Sequence, residues 1–273
     1  MPLQALSVGL EINLWRPQQG VVHSAFEHAV NLLMGGELWT VLAAPQKDAP
    51  FGIRLAPSER PRGLDVRAAD RVHVRAGYLR VGPHVVDGRA AMRWTPARWG
   101  SPASGLEARL ARVEQRARAR AWPGSSAIAD DLIAALSRSD AELAGAVRRS
   151  VGRGPGLTPA GDDVLVGILT VLTSGAAGPT AALPAARLSD ALAAVLHSTS
   201  DVSRHLLTQA ARGLPGRALH DLGKALCEGA PDHVRAGALE SVLDTGCTSG
   251  ADACLGLAAA CRFSFGTAER HAP

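Results

Sequence analysis

The stretch Gly152-Arg153-Gly154-Pro155-Gly156-Leu157-Thr158-Pro159-Ala160-Gly161-Asp162-Asp163 concentrates the residue types that do chemistry, and the apolar run Val164–Leu172 follows it. Four glycines and two prolines fix an irregular backbone that can approach a ligand closely, and the loop feeds straight into a helix start. Loop amides and a helix N-terminus together make an anion site. Gly154, Gly156 and Gly161 supply the amides and Thr158 a hydroxyl. No Gly-Lys-Ser/Thr ends the loop, so it is not a Walker loop. Asp162 and Asp163, as neighbours on a helix, point about 100° apart and cannot share one proton between them. One is expected to cap the helix; the other is left to orient an Arg or His, bind a divalent ion or hold a substrate amide.

Two further polar clusters open apolar helical runs. In His197–His205, Thr199, Ser200 and Asp201 are capping types, while Arg204 and His205 add a fixed cation and a titratable group suited to a phosphate or carboxylate. In Thr245–Asp252, Ser249, Gly250 and Asp252 repeat the pattern. Capping explains each cluster singly, but three such helix starts argue for convergence on one anionic ligand. Nearer the N-terminus, Ser24 with Glu27 three residues on reads as a capping box for a helix over Ser24–Leu33, leaving His23 and Asn31 as candidate binding residues. No Gly-x-Ser-x-Gly elbow occurs, which argues against a serine nucleophile.

These groups need a scaffold. Leu38–Ala43, Phe51–Leu55, Arg71–Val74, Tyr78–Val81 and His84–Val86 are short, β-prone and separated by Gly, Pro or Asp. Pro, Gly and Ser then crowd Trp94–Gly105, and beyond it apolar residues recur every three or four positions, as in Leu106, Leu110 and Val113 or Ile128, Leu132 and Leu136. The expected fold is therefore α+β, a small and mostly antiparallel β domain over 1–104 followed by a helical domain over 105–273 that carries the glycine-rich loop. The arginines of Glu107–Arg120 read as a solvated helix face with Glu107 and Glu114 as partners.

Composition removes several classes. A net charge of +4 over 273 residues is modest, and 4% aromatic residues are too few for stacking platforms, so nucleic acid is not an expected partner. Residues 1–150 carry 20 basic and 14 acidic side chains and the remainder 9 and 11, a sign that the two halves do different work. Cys227, Cys247, Cys254 and Cys261 lack zinc-site spacing, and neither a metal nor a cofactor is called for. The longest apolar run is far short of the roughly 20 residues a membrane span requires. No targeting segment is visible, so a cytoplasmic protein without membrane contact is expected.

Taken together, Val22-His23-Ser24 with Asn31-Leu32, Gly154–Asp163, Thr199–Arg204 and Thr248–Asp252 followed by Leu255-Gly256 resemble the DUF2877 family, named for the oxamate carbamoyltransferase subunit of bacterial allantoin breakdown. Gly154–Pro159 is the specific part. Ala160 stands where the family pattern has Ser, and Cys247 where it has His. The resemblance implies carbamoyl exchange between carbamoyl phosphate and a small amide such as oxamate, giving oxalurate and phosphate. It further implies partner subunits or a homo-oligomer. On that reading Asp162, Asp163 and Arg204 are catalytic, and His23, Asn31, Gly154, Gly156, Thr158, Gly161, Thr199, Ser200, Ser249, Gly250 and Asp252 bind substrate. Two other readings share the pocket: a non-catalytic anion-binding subunit or sensor, and an amidohydrolase acting on ureido compounds.

Overall fold

The computed structural model describes residues 1–57 and 64–266 and divides into two compact units, Met1–Pro96 and a second beginning at Ala97. The first unit is a mostly antiparallel β-barrel and the second is helical.

The barrel strands are β1 (Leu3–Gly9), β2 (Gln18–Ala25), β3 (Ala29–Met34), β4 (Glu37–Leu42), β5 (Gly52–Leu55), β6 (Arg71–Arg75), β7 (Tyr78–Val81), β8 (His84–Asp87) and β9 (Met92–Trp94). They run in the order β5-β4-β3-β2-β6-β7-β8-β1-β9, and a β1–β5 pairing closes the sheet on itself. Closure removes the open edges that an isolated sheet would expose. Val30, Leu32 and Met34 are buried at alternate positions of β3, and Val72 and Val74 at alternate positions of β6.

The helix expected over Ser24–Leu33 is absent. That segment is the end of β2, a turn, and most of β3, paired Ser24↔Asn31 and Val22↔Leu32. Burial on one side of a sheet overrides the weak capping signal. Ser24 instead hydrogen-bonds its neighbours: Asn31 Nδ2 donates to Ser24 Oγ at 3.1 Å, and His23 Nδ1 lies 3.1 Å from the same oxygen.

The helical unit comprises α1 (Leu106–Arg118), α2 (Ser125–Leu136), α3 (Asp140–Ser150), α4 (Ala160–Leu172), α5 (Ala182–Ala193), α6 (Asp201–Ala211), α7 (Arg217–Cys227), α8 (Asp232–Leu243) and α9 (Ser249–Phe265). Helices α4 and α9 form its centre, and nearly every residue of α4 is buried. Val164, Leu165, Ile168 and Leu169 are each fully enclosed, contributing about 1.5–3 kcal/mol apiece. The arginine face of α1 pairs along its own helix through Arg118 and Glu114 at 3.4 Å, and otherwise across helices: Arg112 meets Asp232 at 3.7 Å, Arg116 meets Glu240, and Glu107 and Glu114 are also held by Arg262 of α9. Cys254 and Cys261 are buried on α9, and burial raises both thiols, Cys254 to about 12. They act there as small core residues.

Candidate functional site

Helices α4 and α9 run parallel, because their starts meet through Thr158 Oγ1 and Ser249 Oγ at 2.7 Å and the contacts further along advance in the same direction. A Gly-x-Asp-x-x-x-Gly pattern occurs on both: Gly161, Asp163 and Gly167 on α4, then Gly250, Asp252 and Gly256 on α9. Each glycine is required by a close approach. A Cβ at Gly161 would collide with the Ser150 carbonyl oxygen at the end of α3, and one at Gly250 with the Val242 carbonyl near the end of α8. At Gly167 a Cβ would strike the Ala253 backbone, and at Gly256 the Val164 backbone. These contacts are reciprocal, each helix pressing a glycine on the backbone of the other.

The loop before α4 is shaped by Gly152, Gly154 and Gly156, all at positive φ (73°, 113° and 93°), where only glycine sits without strain. Gly161 N–H donates to Arg153 O at 2.9 Å and closes the loop. Among the described residues, the amides of Gly154, Gly156, Leu157 and Thr158 donate to no atom of the chain, and the stretch Pro155–Leu157 is exposed. These N–H groups are left to water or a ligand beside the positive ends of two helix dipoles.

Capping chemistry accounts for only one of the three expected helix starts. Ser200 is a true N-cap and accepts from Ser203 N at 3.1 Å, whereas α4 and α9 begin at Pro159 and Thr248 without a side-chain cap. Neither Asp162 nor Asp163 caps its own helix. Asp162 Oδ1 accepts from Gly152 N at 2.9 Å and Oδ2 from the Thr199 hydroxyl, while Ser200 Oγ donates to Leu157 O. Asp162 thus ties the loop to the start of α6. The sequence-predicted residues Gly154, Gly156, Thr158, Gly161, Asp162, Asp163, Thr199, Ser200, Ser249, Gly250 and Asp252 all lie on this connected set of loop and helix starts.

The three aspartates differ in what holds them. Burial raises the Asp162 carboxyl, and the Thr199 hydroxyl and Gly152 amide pull part of the rise back. Burial likewise raises Asp252, whose Oδ1 accepts from Trp122 N at 2.9 Å and from Ser125 Oγ at 2.6 Å. Asp163 is 6% exposed and raised furthest in kind, well above its ordinary value. Burial is the main cause; the Ser249 and Thr158 hydroxyls lower it, and the Asp252 and Asp162 carboxyls add to the rise. Asp163 Oδ2 has no hydrogen-bond partner. Burial favours the protonated form of this carboxyl, the form that can give a proton to a ligand atom.

The two arginines of this region are placed differently. Arg204 Nε donates to Leu196 O at 3.2 Å, its guanidinium pairs with Asp201 at 2.9 Å and a further contact reaches Thr199 O, so it braces the turn that presents Thr199. Arg153, on the loop itself, is exposed and lies 5.8 Å from the Trp122 ring. His205 is driven down to about 4 by burial and then by Arg212, and is neutral near pH 7. His23 and Asn31 belong to the barrel, in a row where Asn31 bonds Ser24 on one side and Thr40 on the other.

Sequence reasoning passed over Trp122, Ser125 and Arg153. The first two reach Asp252 across some 130 residues, one of them through a backbone N–H, which no local pattern encodes. The repeated Gly-x-Asp-x-x-x-Gly spacing was the available signal. Among the described residues no three His, Cys, Asp or Glu side chains gather as a metal site, and no helix is long and apolar enough to cross a membrane.

No curated protein and no solved structure gives a significant match to the chain. Two family models do: that of the oxamate carbamoyltransferase subunit AllH over residues 150–261, which begins at the end of α3 and takes in the loop, α4 and most of α9, and that of the AllH family N-terminal domain over residues 4–93, the barrel. Matched in both halves, in order and over about three quarters of its length, the chain belongs to the AllH family.

Proposed function

We propose that the joined starts of α4, α6 and α9 bind small anions and that the chain serves, alone or as a subunit, in carbamoyl transfer between phosphate and a small amide such as oxamate. The observation that carries this reading is the buried, unpartnered Asp163 carboxyl oxygen beside a loop whose amides are unspent. Both reactants of such an exchange are anions, and family membership supplies the reaction class.

On this reading the amides of Gly154 and Gly156 with the Thr158 hydroxyl hold phosphate, and Arg153 adds the cation. Gly161, whose amide is engaged, shapes the loop instead. Ser249 and Gly250 form the opposite wall, Asp162 with Thr199 and Ser200 fixes the loop, and Arg204 braces Thr199. Phosphate oxygen attacks the ureido carbonyl carbon of oxalurate, a C–O bond forms, the C–N bond breaks, and the departing amide nitrogen takes the Asp163 proton. In the opposite direction ionised Asp163 accepts that proton from the attacking nitrogen. Preorganised N–H groups stabilise charge on the tetrahedral carbon. His23 and Asn31 lie in the barrel unit, in a polar row of its own with Ser24 and Thr40.

Calorimetric titration with carbamoyl phosphate, phosphate, oxamate and oxalurate, with a phosphate-exchange assay on those that bind, tests the reading. Binding weakened about tenfold or more by Arg153→Ala and by Thr158→Val is the expected result. Turnover without phosphate would instead favour an amidohydrolase, and binding without any turnover a carrier subunit. Failure of all four to bind would overturn the assignment.

A further inference from the structure

The barrel carries a charged face that the carbamoyl-transfer reading does not use. Along β6 the odd residues Arg71, His73 and Arg75 point outward while Val72 and Val74 are buried, and on β7 Tyr78 and Arg80 lie outward around buried Leu79. Cross-strand pairing sets His73 opposite Arg80, Arg75 opposite Tyr78 and Arg80 opposite Val85. The face therefore gathers Arg71, Arg75 and Arg80, and Arg89 stands beside it. Asp87, a carboxylate on this face, is taken by Arg89 through bonds of 3.0 and 2.8 Å. Among the described residues, Arg71, Arg75 and Arg80 form no ion pair. His73, Arg75, Ala76, Tyr78, Arg80 and Val85 line a shallow depression of about 360 Å³ in the middle of the face.

We propose that this β6–β7–β8 face docks an acidic segment of a protein partner, with one apolar side chain of that segment seated over Ala76 and Val85. Like charges on neighbouring strands repel, and a sheet face that keeps three arginines without an ion pair among the described residues is complementary to an anionic surface. The arginines stand on two strands around an open floor, Arg71 and Arg75 on β6 and Arg80 on β7, which spreads recognition over several carboxylates rather than focusing it on one small ion. Single-stranded nucleic acid fits less well. Of Phe, Tyr and Trp, only Tyr78 lines the depression among the described residues, and the Arg89 guanidinium already covers its ring at 4.4 Å.

The test is fluorescence anisotropy of the full chain with a labelled twelve-residue peptide of Glu and Asp around a central Leu. Binding that weakens about tenfold between 50 and 200 mM salt is expected, together with a loss of tenfold or more in Arg75→Glu/Arg80→Glu, which alters exposed positions alone. Arg112→Ala/Arg116→Ala, removing arginines already paired on α1, is expected to bind as the unaltered chain does. Equal binding by the charge-reversed variant overturns the proposal. So does an oligothymidylate that binds more tightly than the peptide and is lost in the reversed variant, or tripolyphosphate that binds the face as tightly as the peptide, since either gives the face a different occupant.

Discussion

The two halves of the helical centre, α3–loop–α4 and α8–loop–α9, are built alike and finished differently. Both turn from one helix into the next over a glycine pressed on the carbonyl of the preceding helix, Gly161 on Ser150 and Gly250 on Val242. Both then place an aspartate two residues on and a second glycine at the seam. Each keeps one buried oxygen without a partner, Asp163 Oδ2 and Asp252 Oδ2, but the other oxygen of Asp252 is held in the interior by Trp122 N and Ser125 Oγ, whereas Asp163 stands next to an exposed loop. Leaving a buried polar group unpaired costs stability. One frame therefore yields a carboxyl bonded to two donors in the interior and a carboxyl beside an exposed loop.

Substitutions at the seam should break both halves at once. Gly167→Val or Gly256→Val forces side-chain atoms into the facing backbone and is expected to cost about 3 kcal/mol or more, read from chemical denaturation. Asp252→Ala strands the Trp122 amide and the Ser125 hydroxyl in the interior and should cost about 2–3 kcal/mol in the same measurement. Asp163→Asn separates the halves: stability at pH 7 should stay level or rise by about 1 kcal/mol, since the change removes a costly ionisation.

The pH dependence follows from the same difference. Asp162, Asp163 and Asp252 are all raised in the folded chain, so their stabilising contribution is complete below the ordinary value of 3.8 and is lost as pH rises through the folded values. Stability attributable to them should decline upward from about pH 4, and Asp163→Asn should remove the largest share of that decline. The smallest effect is expected at Arg116→Ala, which deletes an exposed pair with Glu240 and should change stability by about 0.5 kcal/mol or less.

How much of this was legible in the sequence depended on period and distance. The helical unit was readable because three- and four-residue spacing persists over each helix, as in Leu106, Leu110 and Val113, all buried. Val30-Leu32-Met34, buried at alternate positions, carried a period of two, but the Ser24 and Glu27 capping pattern just before it pointed to a helix. The strands at the ends of the barrel, β1 and β9, were missed because their pairing is non-local: β1 meets β5, β8 and β9. At the site, glycines and hydroxyls marked the three helix starts, while the partners of Asp252 and the placement of Arg153 over Trp122 depend on tertiary packing alone.

The most direct test of the division between the two aspartates is calorimetry of oxamate binding from pH 4 to 8 on the unaltered chain, Asp163→Asn and Asp252→Asn. Ionised Asp163 repels an anion at the loop, so affinity of the unaltered chain should fall as pH rises, Asp163→Asn should abolish the slope, and Asp252→Asn should keep it. A slope that survives in Asp163→Asn, or disappears in Asp252→Asn, would contradict the account.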